Sequence, residues 1–458
     1  MQSKAMDCHA TLAMTDTETM DCHASLAMTG RKALGWFMRD IALLLFFLGV
    51  LPFAVRYTWV AVLLWTWVSL MNPHKLAFGF ATTAPFAAVA AGAAVLSLLF
   101  NRDRFRLPML PVVVALILFV LWMCITTAYA IQPDLSAVQL SKVLKIELMT
   151  LVAMIALRER RHIEWFVGVN VLSIGFYGFK GGLYTLASGG AGTVWGPAGG
   201  FIQGNNELGL ALVMTLPLMN YLRQGAERSW VRLGLLATML LTVVATLGTQ
   251  SRGAFLALLA IGLVFWMRSS KKWATGVVVA TVACTVLAFM PESWEQRMRT
   301  IQTYEADGSA MGRINAWWAT FNLANSRITG GGFEMYTPEI FARYAPDPTN
   351  LKVAHSIYFS VLGEHGYIGL LLFLAIWLLA LHLSWKIRSR SRARVDAQWA
   401  NDLAAMCQIS LVGYAVGGAF LSLAYFDLPY NLVVLLVVLM RWLDEPATGA
   451  KVAPVRSP

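Results

Sequence analysis

Charged residues are scarce in this chain. Only 13% of its 458 residues are Asp, Glu, Lys or Arg and 58% are hydrophobic, whereas a soluble domain carries about 25% charged residues. A soluble fold of this composition would expose mostly hydrocarbon, and the apolar runs extend along the whole chain, which also excludes a single anchor on a soluble domain. The runs are longer than the ~10-residue alternating segments of a β-barrel. The composition therefore predicts an all-α, polytopic helical membrane protein.

Cysteine and the common catalytic motifs are also scarce. The five cysteines are scattered and form neither a metal-ligand spacing nor a disulfide framework. The chain has no Walker loop, no GxSxG and no HExxH motif, and no predicted outer loop contains an Asp-x-Asp pair. These absences argue against ATP or sugar nucleotides as substrates and against metal-dependent transfer. We expect no metal and no cofactor.

Positive charge is concentrated in five loops between apolar runs. They hold 17 basic residues and three acidic ones. By the positive-inside rule they mark the cytoplasmic side, which explains the net charge of +11 without a nucleic-acid partner. The clusters are Arg102/Arg104/Arg106, Arg158/Arg160/Arg161, Arg223/Arg228/Arg232, Arg268/Lys271/Lys272 and Lys386/Arg388/Arg390/Arg392/Arg394.

The same pattern divides the chain into segments. We expect membrane helices 1–10 in residues 38–290, a large outer loop with short helices in 291–353, and C-terminal membrane helices in 354–445. The total is 12 or 13 spans, because Pro52 and Arg56 split the first apolar stretch. Residues 446–458 form a cytoplasmic tail. Residues 1–37 contain two copies of an 11-residue segment, Met6–Asp16 and Met20–Gly30, that match at nine positions. We expect a disordered extension that reflects an overextended start site, with the protein beginning near Met38.

Several cations fall on the predicted outer side, where the positive-inside rule does not account for them. Lys142 and Lys145 lie at the predicted outer end of one helix, Lys180 lies near the end of the next, Arg252 lies in a helix turn, and Arg313 lies in the large loop. A ligand with a diphosphate group would explain the set, since Arg and Lys are the residues that bind phosphate. The alternative is that each side chain reaches to the interface or pairs with an acid.

A histidine lies where the large loop returns to the membrane. His355 is accompanied by Tyr358, and imidazole is suited to proton transfer near neutral pH. Glu364 lies nine residues further along the same helix, half a turn round and ~13 Å away, so it cannot form a dyad with His355. A histidine at a helix start can also act as a cap or an interface residue.

Three polar residues open a later helix. Asn205, Asn206 and Glu207 could bind sugar hydroxyls, although helix capping explains Asn205 equally well.

The chain resembles the O-antigen ligase/polymerase superfamily, and more closely the O-glycosylation ligases associated with exosortase A systems. The resemblance extends from about Met38 to Arg388. The stretches that carry it include KVLKIELMT, SIGFYGFKGG, VWGPAGGFIQGNNELGLALVMTLPL, SRGAFLAL, MGRINAWW, GGGFEMYTPEIFARYAPDP and AHSIYFSVLGEHGYIG.

The resemblance implies a multi-pass enzyme of the bacterial inner membrane, related in fold to GT-C glycosyltransferases. Such enzymes move a glycan from undecaprenyl diphosphate to an acceptor hydroxyl on the periplasmic side, without a metal. The superfamily's essential histidine matches His355, and its two arginines match Arg252 and Arg313. These three are the expected catalytic residues; the expected substrate-binding residues are Lys142, Lys145, Lys180, Asn205, Asn206, Glu207 and Tyr358.

We therefore expect an inverting ligase whose acceptor is a protein or a glycan. His355 takes the acceptor proton, and the arginines stabilise the leaving diphosphate. A polymerase with the same donor is the alternative enzyme, and a transporter is the alternative from another class. The absence of an internal repeat argues against the transporter.

Overall fold

A computed structural model describes residues 38–77, 79–100, 106–269, 271–273, 276–277, 280 and 308–445. No β-strand occurs in these ranges. The helices with described bounds are α1 (Met38–Arg56), α2 (Thr58–Met71), α3 (Phe86–Phe100), α4 (Pro111–Ala128), α5 (Pro133–Ala156), α6 (Arg160–Ala187), α7 (Asn205–Gly225), α8 (Ser229–Gly248), α9 (Arg252–Arg268), α10 (Gly308–Ser326), α11 (Pro338–Tyr344), α12 (Ile357–Ser391), α13 (Gln398–Gly418) and α14 (Asp427–Asp444).

Five of these helices, α1, α4, α6, α8 and α12, are long and apolar enough to cross a membrane. The expected all-α, polytopic membrane fold is therefore confirmed. The larger number of 12 or 13 spans stays a prediction. The expectations for residues 1–37 and 446–458 concern segments outside the described residues.

Helix α14 forms the centre of the bundle. Every side chain from Asp427 to Met440 is buried, and the helix packs against α2, α5, α6, α12 and α13. Asp427 in its first turn and Arg441 in its last turn complement the helix dipole. Because a helix that is apolar all round must be covered on every side, α14 organises its neighbours around one axis.

Arginines collect at one end of the bundle, which we call the basic end. Arg388 near the end of α12 donates to Gln408 of α13 (3.1 Å). Arg390 pairs with Asp444 of α14 (2.6 Å). Arg441 donates to the carbonyl of Met154 near the end of α5 (2.6 Å). Arg268, from another basic cluster, also donates to Gln408, so two clusters that are far apart in the sequence meet at this end.

The opposite end is covered by residues 308–356, and we call it the loop end. The Trp317 ring of α10 stacks on Phe359 of α12, with centroids 4.8 Å apart. The loop after α10 is fastened to the α4–α5 connection, because Ile131 N–H donates to Gly331 (2.8 Å) and Ser136 donates to the Phe333 carbonyl (2.6 Å). These bonds fix the covering segment on the membrane helices.

Helix α12 is broken near its start, at Gly366. Its φ of 66° lies in the left-handed region, which a glycine adopts without steric cost. The break frees backbone carbonyls that find other donors: Gly363 accepts from the Gly331 N–H (2.8 Å), and His365 accepts from the Trp122 indole (2.8 Å). A kink with satisfied backbone groups is stable inside a bundle.

One helix is longer than the hydrophobic pattern predicts. Helix α5 begins at Pro133, whereas the apolar run in this part of the sequence, residues 142–157, begins nine residues later. Pro133 at the first position and Asp134 in the first turn are helix-start signals that extend the helix through a polar stretch. Lys142 and Lys145 consequently lie about 14 and 18 Å along the helix. Their expected position at its end is wrong.

Candidate active site

His355 lies in the extended segment that leads into α12. Its φ of 44° is unusual for a residue other than glycine, and such strained positions concentrate at functional sites. The side chain is half-buried, and Nδ1 is buried without a hydrogen-bond partner among the described residues. The preceding carbonyl, of Ala354, accepts a hydrogen bond from the Trp317 indole (2.8 Å), which holds the backbone before His355.

The surroundings of His355 keep its imidazole neutral. Burial lowers its pKa, and the nearby charges of Arg313 and Lys352 lower it further, to about 4. The protonated form is disfavoured because it would be desolvated beside two cations. At neutral pH the ring therefore has a nitrogen available to accept a proton.

Arg313 lies near the start of α10, within electrostatic range of His355. It is also within range of Glu207 in the first turn of α7. Arg313 is half-buried, so its charge acts in a partly water-excluded site. The charge of Arg313 therefore acts both on the first turn of α7 and on the segment that carries His355.

Asn315 bonds the helix that carries Arg313 to the loop that leads to His355. Its amide nitrogen donates to the carbonyls of Asp347 (2.8 Å) and Asn350 (3.0 Å), and its oxygen accepts from the Asp347 N–H (2.9 Å). The side chain is nearly fully buried. Helix α10 carries Arg313, and residues 347–350 lead into the segment that carries His355. These three bonds therefore fix the position of α10 relative to that segment.

Arg252 is the first residue of α9, at a tight turn with α8. The Ser251 hydroxyl caps α9 by accepting from the Ala254 N–H (3.2 Å). Asn205, in the first turn of α7, donates to the Thr249 carbonyl (2.8 Å). The turn that carries Arg252 is therefore bonded to the same helix start whose Glu207 is within electrostatic range of Arg313.

The first turn of α7 is held close to this turn by a glycine. A Cβ at Gly209 would approach Ala254 to 2.7 Å, so only glycine permits this approach. The N-cap of α7 is Gly204. The capping explanation for Asn205 is therefore wrong, because its amide bonds Thr249 instead. Asn206 and Glu207 are half-buried in the same turn.

The three predicted lysines lie apart from this arrangement. Lys142, Lys145 and Lys180 are exposed, and no described hydrogen bond or ion pair joins them to His355 or the arginines. Tyr358 donates to the Ala415 carbonyl of α13 (2.8 Å), so its hydroxyl serves a helix contact. Their roles in substrate binding stay predictions.

Glu364 and His365 belong to a separate buried cluster. Glu364 accepts a hydrogen bond from Tyr425 (2.6 Å), and His365 Nδ1 shares one with Thr126 (2.7 Å). Neither bonds to His355 within the described chain.

Two residues that contribute to the candidate site were not identified from the sequence. Lys352 is three residues before His355, and that proximity was a usable signal. Asn315 gives no signal, because an uncharged amide in the large predicted loop matches no catalytic pattern.

Two family models match the chain. Residues 237–374 match the model described as O-Antigen ligase, and residues 38–227 match one described as a family of unknown function, DUF5935. The first match contains Arg252, Arg313 and His355. A search of the curated proteins finds no match. The O-antigen ligase match supports that superfamily and, with the apolar helices, a membrane enzyme of the ligase or polymerase type that transfers glycans from a lipid-linked donor.

Proposed function

We propose that this chain is an O-antigen ligase-like glycosyltransferase. It moves a glycan from undecaprenyl diphosphate to an acceptor hydroxyl, without a metal and with inversion at the anomeric carbon. The observation that carries the proposal is the neutral, strained His355 beside Arg313 at the loop end. A proton acceptor next to a fixed cation suits a reaction that removes a proton from one partner and delivers negative charge to the other.

The proposed reaction is a single displacement. The unprotonated ring nitrogen of His355 takes the hydroxyl proton of the acceptor while the acceptor oxygen forms a bond to C1 of the donor sugar. The bond from C1 to the diphosphate oxygen breaks, and its electron pair stays on the diphosphate. The charge that grows there is stabilised by Arg313 and Arg252, whose guanidinium forks match phosphate oxygens. The products are the glycosylated acceptor, undecaprenyl diphosphate and a protonated His355.

The donor itself improves the base in this scheme. The pKa of His355 is low partly because Arg313 and Lys352 are nearby. A bound diphosphate adds negative charge to this site and offsets their field, so the pKa rises toward its ordinary value in the complex. The base is then stronger only when the donor is present.

The charge distribution supports an orientation in the membrane. The positive-inside rule favours a cytoplasmic position for the arginine clusters at the basic end. His355 and Arg313 lie at the opposite end, so we propose that the site faces the periplasm of a bacterial inner membrane. Residues of the first turn of α7, Asn205, Asn206 and Glu207, are proposed to contact sugar hydroxyls beside Arg313.

The test is glycan transfer in membranes that contain the native lipid-linked donor. His355→Asn should lower the rate by about 10²–10⁴, the usual contribution of a general base. His382→Asn is the matched control, since His382 is exposed further along the same helix, and it should keep the wild-type rate. Equal rates for wild type and His355→Asn at matched expression would contradict the proposal.

The products of this assay distinguish the ligase from the polymerase and the transporter. Glycan recovered on an acceptor supports a ligase, and longer lipid-linked glycan supports a polymerase. Retained anomeric configuration would exclude the single displacement. If wild type transfers nothing and lipid-linked donor accumulates on the inner face in a deletion strain, a transporter becomes the better explanation.

A further inference from the structure

A cavity of about 580 Å³ lies at the basic end, far from His355. It is formed by α6, α7, α8 and α13 together with the short α7–α8 connection. Its volume is in the range of sites that bind small molecules. None of its lining residues belongs to the proposed active site.

The lining is polar at one end and apolar at the other. Along α6, Arg160 and Glu164 come first, followed by Gly168, Val171 and Leu172. The distance from the first to the last of these is about 18 Å, twelve residues of helix. Leu172 is 69% exposed on the outer face of the bundle. The cavity therefore extends from a charged rim toward the hydrocarbon region.

The side chains that line the rim carry charges of both signs, with an excess of carboxylates. Three carboxylates, Glu164, Glu227 and Asp402, line the cavity together with one guanidinium, Arg160. Two of these groups are held in place, because Arg160 pairs with Glu164 (2.7 Å) and lies over the Trp399 ring, 5.0 Å from its centroid. An acidic rim at the otherwise basic end favours a ligand with an ammonium group over a purely anionic one.

We propose that this cavity binds an aminophospholipid of the phosphatidylethanolamine type. The lipid ammonium lies among the three carboxylates, the phosphate contacts Arg160, and one acyl chain follows α6 past Gly168 to Leu172. A ligand with both charges and a long hydrocarbon chain matches the order of the lining. A phosphatidylglycerol headgroup has no cation for the carboxylates, so it should bind more weakly.

Gly168 supplies a sharp test of occupancy. A Cβ at this position would meet no atom within 4 Å, so Gly168→Leu fills the cavity without displacing a neighbour. Gly234 of α8 also has open space at its Cβ but does not line the cavity. Gly234→Leu is therefore the matched control.

The experiment measures lipid binding to the full-length protein, purified in detergent and stripped of lipid. Native mass spectrometry and the shift in melting temperature are followed as phosphatidylethanolamine or phosphatidylglycerol is added. We expect wild type and Gly234→Leu to bind phosphatidylethanolamine at least tenfold more tightly than phosphatidylglycerol. Gly168→Leu should lose this binding. The pair Glu164→Gln and Asp402→Asn should lose the preference while still binding both lipids weakly.

Three results would overturn the proposal. They are equal affinity of wild type for the two lipids, unchanged binding in Gly168→Leu, and an unchanged preference in the carboxylate variants. If Gly168→Leu does not fold, the carboxylate variants decide, because they leave the packing intact.

Discussion

The acid limb of the pH–rate profile tests the environment of His355 directly. Burial, Arg313 and Lys352 together hold its pKa at about 4. The reactive form is the neutral ring, so activity is lost as the pH falls through the pKa of this group. At about pH 5 a ring with a pKa near 4 is still roughly 90% neutral, whereas one with the ordinary value near 6.5 is roughly 3% neutral. The structure thus predicts a rate about 30-fold higher at that pH than an unperturbed histidine allows.

The assay is transfer from lipid-linked donor in membrane vesicles, followed between about pH 4 and pH 8. The ratio kcat/KM reports the free enzyme and kcat reports the donor complex. We expect the limb of kcat/KM to lie below pH 5. The limb of kcat should lie at higher pH, since bound diphosphate offsets the field of Arg313. A kcat/KM limb centred near pH 6.5 would refute this account of His355.

A charge variant checks the cause of the shift. Lys352→Gln removes one of the two cations and should move the kcat/KM limb upward by roughly a few tenths of a pH unit, since Lys352 is exposed and its field is screened. Arg343→Gln removes an exposed cation of α11 that does not act on His355 and should leave the limb unchanged. Equal shifts in both variants would mean that general surface charge, not proximity, sets the pKa.

Three further predictions concern the framework of the site. Asn315→Ala removes the bonds to residues 347–350 and should lower kcat/KM by about tenfold or more, since small displacements of reacting groups are costly; steady-state kinetics over a donor series measures it. Arg252→Gln should lower kcat by about 10²–10³ by removing charge stabilisation of the leaving group, and Arg252→Lys should restore only part of it. Gly366→Ala forces a side chain into a φ of 66° and against the Ile328 carbonyl, so it should destabilise the protein by more than the roughly 1–3 kcal/mol of backbone strain alone, measured by thermal unfolding in detergent.

Matched controls separate these effects from general damage. Asn322→Ala, on the same helix as Asn315, removes an exposed bond to the Tyr344 carbonyl and should leave kcat/KM unchanged. Gly92→Ala changes a helical glycine with open space at its Cβ and should be neutral or slightly stabilising. If Asn322→Ala lowers the rate as much as Asn315→Ala, the link between Arg313 and His355 is not the cause.

The helices could largely be predicted from the sequence, because apolar runs are the dominant signal in a membrane chain. Helix α6 and the α8–α9 pair begin and end within three residues of the apolar runs at 163–187, 232–249 and 253–267. The prediction was wrong where a helix begins within a polar stretch of sequence. In α5 the first nine residues are too polar to join the apolar run, yet Pro133 and Asp134 start the helix there. The lysines of α5 were misplaced for that reason.

The candidate site, too, could be predicted from the sequence only in part. Arg252, Arg313 and His355 attract attention because ionisable groups are costly near a membrane. Their relation to one another has no sequence signal: 61 positions separate the first two in the chain. The bonds that hold the surrounding framework together are made largely by neutral amides to backbone carbonyls, Asn205 to Thr249 and Asn315 to Asp347. A side-chain-to-backbone bond depends on where a distant loop lies, and no residue pattern encodes that position. Charge in the sequence can therefore identify candidate residues of such a site, whereas the framework that sets the distances between them exists only in the folded chain.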